Sequence, residues 1–233
     1  METITIPATD GSGQFEALVV APRSQPAGAV VLIQEIFGVN ATMRALSHWV
    51  AEMGFLALCP DLFWRQEPGV QLDPDAGQAQ WDRAFALFRG FDQEKGVEDL
   101  AATIAAARAH PACNGKVGTM GFCLGGRMAY RTAVATDADC HVSYYGVGIE
   151  GMLEDAPRIR APLLMHIAER DKFVPPEAQA AILAALKDHP KVTCHVYPGV
   201  DHAFARMGGH AWDARAATIA NGRTAEFLVR HLG

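Results

Sequence analysis

Short apolar runs recur along the chain, and between them apolar positions return at helical spacing. Residues 29–33 are almost continuously apolar, which marks a strand buried on both faces. Residues 55–59, 117–121, 141–145, 162–167 and 192–197 read as further strands. Residues 3–6 and 15–20 read as an opening antiparallel pair, joined by the turn signal Asp10-Gly11-Ser12-Gly13. Helical spacing covers roughly 42–53, 76–88, 97–107, 126–135, 177–186 and 213–232. The stretch 63–71 is loop-like, broken by Pro68-Gly69. Strands alternating with helices predict an α/β fold, a mostly parallel central sheet with helices on both faces. With 233 residues and no repeat, low-complexity tract or linker, 1–233 reads as a single domain.

One junction carries chemistry. Gly121-Phe122-Cys123-Leu124-Gly125-Gly126 follows an apolar strand and opens a helix, placing a thiol at the apex of a tight turn. This is the nucleophile-elbow pattern of α/β hydrolases, with cysteine where serine is usual. The positive end of the helix dipole there favours a thiolate. Such a nucleophile needs a base and an orienting acid, which this architecture supplies in that chain order from turns after later strands. Asp171 follows the strand at 162–167, and His202 follows the strand at 192–197, in the required order. His202 would move the thiol proton, and Asp171 would fix the imidazole tautomer. The Leu124 N–H is one oxyanion donor by the geometry of the elbow. The loop Gln34-Glu35-Ile36-Phe37-Gly38 should provide a second, with Ile36 N–H the candidate.

Each of these residues also has an ordinary reading. Cys123 could be an inert core thiol, His202 a loop histidine, and Asp171 a turn former or helix cap. Asp201 and Glu169 are rival acids, offset from the position that a triad requires. Glu35 could be a solvated loop acid or a partner of Arg44. It could equally lie beside Cys123, opposing thiolate formation or accepting the thiol proton. The remaining histidines show no metal spacing, and Cys59, Cys113, Cys140 and Cys194 read as core or surface thiols.

Composition narrows the class. Half of the residues are hydrophobic and a fifth charged, as in globular proteins. The net charge of −6, without a basic block, argues against nucleic acid and anionic membranes. The N-terminus lacks the features of a secretory signal, and no apolar run is as long as a membrane span. Five scattered cysteines without C-x-x-C argue against a disulfide framework or zinc ribbon, so a reducing cytoplasm is expected.

Several segments together resemble the dienelactone hydrolase (carboxymethylenebutenolidase) family. They are Gln34-Glu35-Ile36-Phe37-Gly38-Val39-Asn40, Cys59-Pro60-Asp61-Leu62, Asn114-Gly115-Lys116-Val117-Gly118, the elbow, Tyr144-Tyr145-Gly146-Val147-Gly148 and His202-Ala203-Phe204-Ala205-Arg206. The resemblance covers nearly the whole chain. It implies an α/β-hydrolase fold and a cofactor-free, monomeric enzyme that opens dienelactone to maleylacetate in bacterial breakdown of chlorinated aromatics. By position it implies a Cys123–His202–Asp171 triad and a Glu35 that holds the resting thiol and takes its proton when substrate binds. It also implies that Arg206 pairs with the substrate carboxylate, and that Phe37, Trp81, Phe85, Tyr144 and Ala203 form the pocket.

Here the chain departs from the family, whose members carry arginine and tyrosine at the positions of Trp81 and Phe85, and serine at Ala203. Arg83 lies on another helix face, whereas Arg89 could reach in. One arginine anchor in a more apolar pocket is thus expected, with about 1.5–3 kcal/mol of carboxylate binding lost. The substrate is expected to be a small lactone or ester, anionic, that differs from dienelactone or resembles it but binds less tightly. The alternative on the same site is an esterase of broader or different small-ester specificity. A thiol redox protein and a non-catalytic binding module are the competing classes.

Overall fold

The computed structural model describes residues 2–233. Eight strands form one sheet: β1 (Glu2–Pro7), β2 (Gln14–Val20), β3 (Ala27–Ile33), β4 (Leu56–Pro60), β5 (Cys113–Phe122), β6 (Cys140–Tyr144), β7 (Leu163–Ala168) and β8 (Val192–Tyr197). Their spatial order is β1-β2-β4-β3-β5-β6-β7-β8. β1 and β2 pair antiparallel, as do β2 and β4, and every pair from β4 through β8 is parallel.

Period-two alternation explains why β3 is apolar throughout. Val30 and Leu32 point into one core, and Val31 and Ile33 into the other. Helices α1 (Ala41–Glu52) and α6 (Ala214–Leu232) cover the first face through Met43, Leu46, Leu228 and Leu232. Helices α3 (Gln93–Ala109) and α4 (Leu124–Ala135) cover the second face, with Leu100, Ile104, Leu124 and Met128 buried. Helix α2 (Gln78–Gly90) adds Trp81, Phe85 and Phe88 to its rim, and α5 (Pro176–Leu186) packs beside β7.

Most expected elements appear, with shifted ends. α3 starts four residues before the apolar periodicity, because Asp92 caps the N–H groups of Glu94 and Lys95. A 3-10 helix at Ile149–Arg158 is added between β6 and β7, where the sequence shows no helical spacing. No helix is long and apolar enough to cross a membrane among the described residues.

The order β4-β3-β5 contains a reversal of chain direction across the sheet. From β3 the chain moves outward to β4, then returns across β3 to β5. The loops leaving the carboxyl ends of β3 and β5 therefore diverge and leave a crevice, the usual ligand position in such sheets. These loops are the Gln34–Gly38 segment and the Cys123 turn.

Candidate active site

At the elbow the backbone takes a conformation that few side chains adopt. Cys123 has φ 57° and ψ −115°, between the end of β5 and the start of α4. Backbone strain of this kind costs about 1–3 kcal/mol and persists only where its surroundings fix it. Two hydrogen bonds do so: Cys123 N–H donates to Tyr144 O, and Arg127 N–H donates to Cys123 O. Glycine is required on both sides. A Cβ on Gly121 would lie 1.9 Å from Gly125 O, and one on Gly125 would lie 2.1 Å from Ile33 O. The helix can therefore sit directly against β3 and β5, with the thiol at its positive end.

The loops after β7 and β8 bring the expected acid and base together. His202 Nδ1 lies 2.8 Å from Asp171 Oδ2, and both side chains are buried. An ionised carboxylate only accepts, so Nδ1 donates to Asp171, and the ring turns Nε2 away from that contact. Nε2 is buried without a hydrogen-bond partner. Burial pulls the imidazole down, but the charge on the Cys123 sulfur and the Asp171 carboxylate outweigh it and push His202 up to about 10. Asp171 is itself oriented by Phe173 N–H at 2.9 Å, and the rings of Phe173 and Tyr145 meet the imidazole edge-on. The rival acids hold backbone instead. Asp201 accepts from the N–H groups of Lys172 and His202, and Glu169 accepts from Gly199 N–H.

The loop after β3 is locked from within. Gln34 is fully buried, accepts from Leu62 N–H and donates to Glu35 O, which ties this loop to the one after β4. Ile36 borders the crevice, and Leu124 opens α4 beneath it. Glu35 is buried but does not border the crevice. Both of its oxygens accept from Arg206, Oε2 from Nε at 2.8 Å and Oε1 from Nη2 at 2.9 Å. Its partner is thus Arg206, not Arg44, and among the described residues no hydrogen bond joins it to the Cys123 sulfur. Burial works against the Arg206 cation, yet the Glu35 carboxylate more than compensates and raises its pKa.

A pocket of about 260 Å³ opens above Cys123. Its walls include Ile36, Phe37, Trp81, Phe85, Phe88 and Phe173. Trp81 and Phe85, one helical turn apart, form an aromatic wall, and Trp81 meets Phe37 edge-on with centroids 4.9 Å apart. Trp81 Nε1 donates to Pro74 O, so its polar atom is satisfied away from the ligand space. Arg206 borders the same pocket, stacked on the Phe37 ring.

Three expectations for the pocket need correction. Tyr144 does not reach it: its ring is fully buried on the other side of β6, where its hydroxyl meets Asn221 and Thr224. The neighbouring Tyr145 faces His202, because the chain turns there with φ 38°. Ala203 is buried at φ 63° beside His202 and does not border the pocket. Arg89 is exposed and does not enter; Arg83 is also on the outside, paired with Glu67. The second arginine bordering the pocket is instead Arg127, in the first turn of α4. Its signal was in the sequence, since it stands four residues after Cys123 and so on the same helix face.

The other candidate groups are embedded in the core. Burial pushes the thiols of Cys59, Cys140 and Cys194 up, the last two to about 12 and about 11. Burial holds His141 down at about 3, where it bonds to Thr119 and Thr132, and His166 lies between Tyr197 and Thr224. None of these groups borders the Cys123 pocket.

The comparisons with known proteins converge. A protein of Azospirillum brasilense, provisionally named a carboxymethylenebutenolidase, is 52% identical, with both chains covered completely. The carboxymethylenebutenolidase of Pseudomonas putida is 43% identical over 98% of this chain and 96% of its own. Among solved structures, a provisionally named dienelactone hydrolase from Klebsiella pneumoniae superposes with a TM-score of 0.83 at 23% identity, covering 98% of each chain. Its likeness extends the α/β-hydrolase expectation to the fold as a whole. The model of the dienelactone hydrolase family matches residues 15–232, and the chain belongs to that family.

Proposed function

We propose that the protein is a cysteine-dependent hydrolase that opens a small lactone, of the kind converted from carboxymethylenebutenolide to maleylacetate. It is a hydrolase of ester bonds, as its family membership and its carboxymethylenebutenolidase relatives indicate. The observation that carries the catalytic reading is the 2.8 Å contact of His202 with Asp171, with Nε2 free beside the Cys123 pocket.

The steps follow from these atoms. The Cys123 sulfur attacks the lactone carbonyl, and the N–H groups of Leu124 and Ile36 receive the charge that develops on oxygen. The ring C–O bond breaks, and the departing oxygen takes a proton from His202 Nε2. The product is an acyl enzyme that still carries the freed oxygen on the same molecule. Water then attacks the thioester and gives its proton to His202, and the sulfur leaves with the bonding pair. Asp171 keeps the imidazole in the tautomer that both transfers need. In this scheme the thiol proton rests on His202 Nε2 before the attack, and a substrate carboxylate at Arg206 shares that guanidinium with Glu35. No step requires a cofactor.

The lining, with Trp81 and Phe85 in place of arginine and tyrosine, supports a substrate that differs from dienelactone or binds more weakly than it, and a wider range of small esters. The five free cysteines fit a reducing compartment. The reading extends to a cytoplasmic, monomeric, single-domain enzyme that acts on a small molecule and not on nucleic acid. A thiol redox role is disfavoured because no second cysteine borders the pocket. Release of nitrophenol from 4-nitrophenyl acetate, and turnover of cis- and trans-dienelactone, should depend on Cys123. Equal rates in Cys123→Ala would refute the reading. Turnover of dienelactone with a KM at or below that of simple esters would show that Trp81 and Phe85 do not set the preference.

A further inference from the structure

The two arginines that border the pocket are in different electrostatic states. Arg206 has two of its nitrogens committed to Glu35. Arg127 forms no ion pair or side-chain hydrogen bond among the described residues, and its Nε is buried without a partner. Burial, with Arg131 nearby, pulls its guanidinium below the ordinary value, and Glu150 only partly offsets this. Arg131 itself is engaged by Glu94. The space for the Arg127 guanidinium exists because residue 148 has no side chain: a Cβ on Gly148 would lie 2.5 Å from Nη1. Glu150 borders the same pocket, does not pair with Arg127, and has a buried Oε2 without a partner. A half-buried cation with open donors in a mostly apolar pocket is an unfavourable arrangement that a bound anion relieves.

We propose that Arg127 is a specificity-determining residue that binds a substrate carboxylate, so that the pocket selects small lactones and esters bearing a free carboxylate. This rests on the acyl-transfer reading of Cys123. A carboxylate on Arg127 lies one helical turn from the nucleophile, within the reach of a substrate that fills the pocket. A guanidinium offers it a bidentate fork without first breaking the Glu35–Arg206 pair. The polar anchor lost at the Trp81 position is in this way replaced from another wall.

The test compares anionic with neutral esters. 4-Nitrophenyl hemisuccinate and 4-acetoxybenzoate carry the carboxylate on the acyl and leaving sides; 4-nitrophenyl butyrate and phenyl acetate are their neutral counterparts. In Arg127→Met the anionic-to-neutral ratio of kcat/KM should fall about tenfold for at least one pair, mainly through KM. Arg127→Lys should recover part of the loss, and the affected pair identifies the side. Both ratios staying within about twofold of wild type would overturn the proposal. Neutral-ester turnover in the same preparation reports folding, and Arg127→Gln carries the comparison if the methionine variant does not fold. If wild type shows no Cys123-dependent turnover, the reaction itself is misread. Calorimetry of phenylacetate binding to Cys123→Ala, with and without Arg127→Met, then decides the role of Arg127 separately.

Discussion

Glu35 and Arg206, 171 residues apart in the chain, form a buried bidentate ion pair with contacts of 2.8 and 2.9 Å. The pair joins the loop after β3, which carries Ile36, to the segment after β8, which carries His202. A pair of this kind adds little net stability over an apolar replacement, because both charges were taken from water. Its removal one side at a time is a different matter.

Glu35→Gln leaves the Arg206 cation buried without a counterion, and Arg206→Met does the same to the Glu35 anion. Each should lower stability by about 3–5 kcal/mol. The double variant should recover much of that loss, since no charge is then left alone. Urea unfolding midpoints of the three variants measure this. Losses that simply add would mean that the two groups do not act as a pair.

The protonation of His202 gives a signed prediction. Its folded value, raised to about 10, lies above the ordinary histidine value of about 6.5. The stability contributed by the bound proton is therefore complete below about pH 6.5 and is lost as pH rises through about 10. Across neutral pH the imidazolium is retained beside the sulfur. Asp171→Asn removes one of the charges that raise it, so the titration should move to lower pH. Imidazole nitrogen NMR of both proteins reads this directly; an unchanged or higher midpoint in the variant would contradict the assignment.

Gly125 tests the elbow. A methyl group there meets the Ile33 carbonyl, which is backbone and cannot rotate away. Gly125→Ala should force α4 off β3 and cost about 1–3 kcal/mol, the order seen for overpacked cores. Thermal unfolding measures it, and Gly151→Ala, where nothing lies within 4 Å of the added atom, serves as the neutral comparison.

What could be read from the chain follows physical range. Strands such as β3 were legible because burial on both faces leaves a continuous apolar run. Cys123, Asp171 and His202 were legible because each follows a recognisable strand, and strand order fixes where their loops converge. The Glu35–Arg206 pair was not, since nothing local in either segment selects the other. Tyr144 and Tyr145 were indistinguishable as neighbours; a positive φ at the second turns one to the interior and one to His202. Arg127 was legible only in part: its place four residues after Cys123 gives the helix face, but nothing local shows that Gly148, distant in the chain, leaves room for its guanidinium there. The 3-10 helix at Ile149–Arg158 has too short a repeat, and Pro157 inside it, to stand out as helical spacing.

The central claim is that Cys123 becomes acylated. Wild-type protein mixed rapidly with 4-nitrophenyl acetate, quenched in acid and digested, should yield an acetyl group on the peptide carrying Cys123. That adduct should disappear once substrate is exhausted. Nitrophenol release that is as fast in Cys123→Ala, with no acyl group on Cys123 in wild type, would contradict the account.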